Sequence, residues 1–156
     1  MIFFSDIITV GFTFIFSAFF ENALHKASHY KQSGALYRWH KVHHKDYPAK
    51  RLESDTYIDS TGWMNNMYAF YIMLTQGIIY CISSNRVFII FYIQSTSYAI
   101  FLEYMHEQFH LTNSWWSKYE WFQYLKQSHL RHHIKHNKNY SFFTTKIDKL
   151  NNTYIK

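Results

Sequence analysis

Apolar residues along the chain gather into three stretches separated by polar, charged segments. The first, Ile2 to Phe20, is broken only by Ser5, Asp6 and small or hydroxyl residues. Its length approaches the roughly twenty residues with which a helix crosses the hydrocarbon layer. The second runs from about Gly62 to Ile82, with Asn65 and Asn66 near its start, and the third from Val87 to about Tyr104, with a polar middle at Gln94–Ser97. The short link Ser83–Arg86 makes these two an antiparallel helical hairpin. The pattern predicts an all-α, helical integral membrane protein, one domain over residues 1–156, with spans at about 2–20, 62–82 and 87–104. A fourth, re-entrant or interfacial helix at Trp115–Leu125 is the variant of this topology. Two soluble alternatives compete: a cleaved signal peptide, which would want a basic start and a small-residue cleavage site that the chain lacks, and a buried helical hairpin.

Composition changes the picture in two ways. Among 156 residues only 4 are Gly and 1 is Pro, against 48% hydrophobic and 22% aromatic. So few turn-formers favour helices over a many-stranded sheet. The mean hydropathy of −0.30 looks soluble only because apolar and charged residues are segregated. The formal charge of +6 is not one compact basic run: 15 of the 16 Lys and Arg lie in about 25–60 and 106–156, and only Arg86 sits in the hairpin link. This implies an anionic membrane surface rather than nucleic acid as partner. The positive-inside rule puts both basic segments on the cytoplasmic face, where all five tryptophans (Trp39, Trp63, Trp115, Trp116, Trp121) also fall. Cys81, in an apolar stretch, is expected to be a packed thiol.

The histidines carry the chemistry. His25 and His29 form an HxxxH at the end of the first span, and His40, His43 and His44 an HxxHH shortly after it. The order repeats at the end of the third span, with His106 and His110, then His129, His132 and His133; only His136 of the 11 histidines lies outside these boxes. Positions i, i+3 and i+4 share a helix face, so each half is expected to offer five convergent imidazoles. Ten are too many for one metal and suit two, each six-coordinate with one position open. Imidazole alone does not choose among iron, zinc, copper and nickel. His106-Glu107-Gln-Phe-His110 also fits the HExxH of zinc proteases, but that reading leaves nine histidines largely unexplained, and Lys26 replaces the Glu in the matching first box. Glu107 is expected to orient a ligand or face solvent. A histidine-rich metal store or transporter is the non-enzymatic alternative; it would place ligands in a loop tract or along a conduction path.

Four boxes on spans with a basic face resemble the fatty acid hydroxylase / sterol desaturase superfamily from about His25 to Tyr154. The segment after the second box (His44-Lys-Asp-Tyr-Pro-Ala-Lys-Arg-Leu) and the tail (Asn139-Tyr-Ser-Phe-Phe-Thr-Thr, then Asp148 to Tyr154) are similar to it as well. The family's usual Phe-Gly near Asn151 and Asn152 is absent, which puts the local turn in question. The resemblance implies two iron ions, zinc substituting in purified protein, with dioxygen as co-substrate and hydroxylation of a long-chain acyl or sphingolipid substrate. Carotenoid ring hydroxylases and sterol-type oxidases or desaturases of the same superfamily are the alternatives. It implies residence in the endoplasmic reticulum membrane if the source is eukaryotic.

Ligating imidazoles usually donate their second N–H to a carboxylate or carbonyl. Glu21, four residues before His25, and Glu103, three before His106, are the candidate acceptors, and His136 is a further ligand or hydrogen-bond partner. The chain has no nucleotide-binding glycine motif and no evident haem module. An external electron donor, a separate haem or iron–sulfur carrier, is therefore expected at Lys41, Lys45, Lys50 and Arg51, which alternatively meet lipid headgroups.

Overall fold

The computed structural model describes residues 4–61 and 67–156. Among these residues six α-helices follow one another: α1 (Phe4–Ser28), α2 (Ala35–Asp46), α3 (Met67–Ile82), α4 (Asn85–Phe109), α5 (Glu120–Ile134) and α6 (Thr145–Leu150). Among the described residues the only extended pairing is one isolated bridge between Ser54 and Leu111. The expected start of the second span, with Trp63, Asn65 and Asn66, lies outside the described residues, as does Ile2 of the first.

Helices α1 and α4 are long and apolar enough to cross a membrane; α3 is apolar but shorter. Both long helices outrun the sequence expectation at the C-terminal end, carrying the HxxxH boxes beyond the apolar stretch as a continuous extension. They run parallel, because contacts advance together along both: Asp6 with Arg86, Val10 with Gln94, Glu21 with Tyr98. Helix α3 returns antiparallel against α4, where Gln76 donates to Ser95 (3.0 Å) and Thr96 (2.9 Å). The hairpin turn is fixed by Ser84, whose hydroxyl accepts the Val87 N–H and caps α4.

The distribution of side chains on α1 is inverted relative to a soluble helix. Asp6, Thr9, Thr13, Ser17, Glu21 and Asn22 face the protein, while Phe12, Phe14 and Ile15 are more than half exposed. Water would penalise such an outer face; hydrocarbon accepts it, and polar groups in a span turn inward to find partners. The same logic explains Cys81. It is exposed on α3, not packed, because α3 covers α4 with one face only.

The cap follows from the chain's turns. Gly34, at φ 61°, takes the left-handed conformation that reverses the chain between α1 and α2. The stretch 115–125, the variant's re-entrant or interfacial helix, forms a 3-10 turn, Trp115–Lys118, and the start of α5. There Phe122 enters a core with Leu102, Met105, Phe109 and Phe142. After α6, Asn152 has φ 55°, the left-handed position usually given to Gly and next best tolerated by Asn. The missing Phe-Gly therefore leaves the turn in place.

Candidate metal centre

Helix geometry decides where each imidazole goes. His25 and His29 lie one turn apart at the C-terminal end of α1, and His106 and His110 at that of α4; His29 and His110 stand just past the last helical residue. On α2 and α5 the HxxHH boxes do something the sequence reading missed. At about 100° per residue, position i+4 lies about 40° to one side of i and position i+3 about 60° to the other. One helix therefore aims its histidines at two different points.

The ten box histidines accordingly form two groups, but not one per half of the chain. The first is His25, His29, His40, His44 and His132; the second is His43, His106, His110, His129 and His133. Within each group the candidate ligand atoms all lie within 4.8 Å of one another. The two that cross over, His43 and His132, are the i+3 members of their boxes. Helices α2 and α5 thus each contribute to both groups, and the rings of His44 and His133, one from each, lie 4.2 Å apart.

The spacing of nitrogens is that of a shared cation. Around a metal with bonds of about 2.1 Å, ligands at a right angle sit about 3.0 Å apart. Nε2–Nε2 distances are 3.0 Å for His29–His132 and 2.9 Å for both His29–His40 and His40–His44. In the second group they are 3.0 Å for His43–His106 and His110–His129, and 3.2 Å for His43–His133 and His129–His133.

Protonation makes the same point. Each of four rings donates its Nδ1–H to a backbone carbonyl: His25 to Tyr140, His110 to Leu52 (2.8 Å), His132 to Lys138 (2.7 Å) and His133 to Tyr47 (2.9 Å). A neutral ring has one N–H, so the Nε2 of each of these is a bare lone pair. The Nε2 of His25 is buried without a hydrogen-bond partner among the described residues. Unsatisfied buried polar atoms cost about 1–3 kcal/mol each, and a cation at the centre of each group satisfies them together. The residues present fit two metal ions. For His44 and His129 the Nδ1 has no hydrogen-bond partner among the described residues, so packing sets those rings.

Burial keeps the groups neutral and receptive. It lowers the pKa of His29 to about 3 and that of His110 to about 4, reinforced at His29 by His25 and His136 and at His110 by Lys126. Burial and neighbouring rings likewise push His40, His43, His44, His129 and His132 well below the ordinary range. At His133 the bond to Tyr47 opposes the same trend without reversing it. The second group is wholly buried, whereas His29 and His44 of the first are partly open. These two border a polar cavity of about 400 Å³ that includes Lys41, Asn137 and Tyr140.

Two of the candidates for outer support, Glu21 and His136, are corrected. Glu21 does not receive His25; its carboxylate accepts the Phe142 N–H (2.6 Å) and the Tyr98 hydroxyl. The acceptor for His25 is a carbonyl, and Glu21 points across the bundle, one turn too early to reach the ring. Glu103 lies half-buried on α4 near Glu107 and Asp59. His136 joins neither group: α5 has ended, Lys135 has left helical geometry, and the His136 Nε2–H donates to the His133 carbonyl (3.0 Å). Glu107 is partly exposed and outside both groups. Lys41, Lys45, Lys50 and Arg51 are all exposed on the cap, Arg51 donating to the Asp46 carbonyl.

Support comes from residues that the sequence marked by resemblance at most, Tyr47 and Asp148 lying in the two segments similar to the family. Tyr47, fully buried, stacks on His110 at 3.9 Å while its carbonyl holds His133. Asp148, also fully buried, accepts the Tyr140 and Ser141 N–H groups (both 2.9 Å) and the Thr153 hydroxyl (2.7 Å). It thereby fixes the carbonyl that holds His25. Buried Lys126 pairs with Glu53 and donates to the Leu111 carbonyl (2.6 Å), tying the Leu52 segment to α5.

A family model described as Fatty acid hydroxylase matches residues 10–153, nearly the whole chain. No curated protein and no solved structure gives a significant match.

Proposed function

The chain belongs to the fatty acid hydroxylase family, and from that premise we propose that it is a membrane di-iron oxygenase that hydroxylates a long-chain acyl lipid. The observation that carries the reading is the pair of buried five-histidine groups. Five imidazoles leave one position of a six-coordinate metal for an exogenous ligand. The first group would be held by His25, His29, His40, His44 and His132, the second by His43, His106, His110, His129 and His133. Iron bound there supplies the redox chemistry that turns dioxygen against a C–H bond.

The chain's own part is to hold, orient and exclude water. Carbonyls of Tyr47, Leu52, Lys138 and Tyr140 fix the ring planes, and the aromatic packing around the second group keeps it dry. The balanced reaction converts a C–H bond, one dioxygen, two electrons and two protons into an alcohol and one water. The electrons come from an external haem or iron–sulfur carrier that meets the exposed cations Lys41, Lys45, Lys50 and Arg51. Helices α1, α3 and α4 act as three spans with the histidine cap on the cytoplasmic face. The inverted surface of α1 and the basic bias of the cap support that placement.

The test is isotopic. Iron-loaded protein, a chemical reductant, a mixture of acyl lipids and labelled dioxygen should yield a lipid that gains one labelled oxygen atom. Label appearing only in water, with every lipid unchanged, would rule the reading out.

A further inference from the structure

The two histidine groups differ in how they meet solvent. In the second group no ring is more than 7% exposed except His43, His106 and their partners at that limit or below it. Aromatic rings close over it: Tyr47 stacks on His110 at 3.9 Å, and Phe142 lies 4.9 Å from both His106 and His129. In the first group His29 and His44 are partly open, and with His40 they line the polar cavity of about 400 Å³. A water's share of liquid volume is about 30 Å³, so a divalent ion with about six waters needs roughly 180 Å³. Such an ion fits the cavity with its hydration intact.

One further imidazole stands in that cavity. His136 is exposed and belongs to neither group. It lines the same space, with its ring centre 4.4 Å from that of His44, 5.9 Å from His29 and 6.4 Å from His132. Three of the five first-group rings are therefore its neighbours. Its Nε2–H donates to the His133 carbonyl (3.0 Å), so the neutral ring keeps a lone pair at Nδ1. The lining includes no carboxylate among the described residues, and Lys41 is its one Lys or Arg. Nothing there competes with imidazole for a cation, and the exposed Lys41 charge, which opposes the cation's approach, is screened by solvent.

Resting on the paired metal centre, we propose that this cavity is the port through which metal enters and leaves the first group, with His136 as the receiving ligand. The ion of the second group has no such way out and exchanges only when the cap opens. At the first group one imidazole replaces another while the fold stays native. At the second, exchange needs a packed core to part, and local opening of a core is a rare event. The two ions of one centre therefore differ in lability, and a chain that has lost one ion keeps the second group filled.

The experiment uses the full chain in lipid nanodiscs, loaded with zinc, which imidazole also binds. Excess chelator is added and released zinc is followed in time. Expected are two phases of about one ion each, the second at least roughly tenfold slower. The fast phase should be missing in His40→Ala and the slow one in His110→Ala. His136→Gln keeps a donor for the His133 carbonyl but is a poorer ligand, and Asn137→Trp fills the cavity. Both leave the ten ligands in place, so both should slow the fast phase while the slow phase and the final zinc content stay as in wild type. Lys41→Gln should act in the opposite sense, speeding zinc uptake at low salt and losing that effect at high salt. Two ions that leave in a single phase, or a fast phase unmoved by both His136→Gln and Asn137→Trp, would overturn the port and leave the paired centre standing. A wild type that never holds more than one ion would remove the paired centre, and the port with it.

Discussion

A histidine that has given its Nδ1–H to a carbonyl can only accept at Nε2, and His25, His110, His132 and His133 are all in that state. Neutrality of the rings is therefore part of the fold, with a consequence in pH. The native pKa values lie below the ordinary His value of about 6.5, at about 3 for His29 and about 4 for His110. Below about 6.5 the unfolded chain binds more protons than the native one, so stability falls as pH drops from about 6.5 towards 3. The melting temperature of the metal-free protein should fall steadily from about pH 7 to about pH 5; a flat profile would show that the rings are not buried neutral. Glu107 separates the oxygenase from a protease at the same scale. Lying outside both groups, it should tolerate Glu107→Gln with both metals and measurable hydroxylation retained, whereas a zinc protease would lose its general base and all turnover. The ten box histidines were legible in the sequence because residue type and helical spacing are both written there. The carbonyls of Tyr47, Leu52, Lys138 and Tyr140 were not, since every residue has a carbonyl and only the fold decides which one meets a ring. His136 continued the written pattern after the helix that would have carried it had ended.

At the level of elements, the HxxHH helices α2 and α5 are the joint between the two groups, each sending its i+3 histidine across. Periodicity predicted the shared face but blurred the roughly 100° between i+3 and i+4, which is why the groups were expected to follow the halves of the chain. The tail is the other decisive element. Asp148 on α6 gathers the Tyr140, Ser141 and Thr153 donors and a long contact from Asn22 of α1. Removing a fully buried acceptor of several hydrogen bonds leaves those donors unpaired, so Asp148→Ala should cost on the order of 2–4 kcal/mol. It should also loosen the first group, because Tyr140 holds His25. Asp148→Asn keeps one acceptor oxygen and should cost less; equal melting temperatures for wild type and Asp148→Ala would refute the bracing role. The sequence pointed to this tail by resemblance only, since a lone Asp on a six-residue helix gives no sign of what it will bind.

For the whole molecule, the apolar stretches and the charge bias made the bundle readable, while the extension of α1 and α4 into the cap and the folding of 115–125 onto it came from packing that no local pattern records. In a Cys81→Ser background, a cysteine at Ser84 should react with an impermeant label from the face opposite to one at Ser33; labelling of both from one side would contradict the three-span arrangement. The two-group architecture makes a sharper demand. If α2 and α5 hold two separate ions, metal content per chain should report each group on its own. Elemental analysis of the purified protein should give close to two metals, iron when expressed with iron available. It should fall to about one in His40→Ala, which opens only the first group, and to about one in His110→Ala, which opens only the second. A reproducible single metal in the wild type, unchanged by His40→Ala and abolished by His110→Ala, would contradict the paired centre.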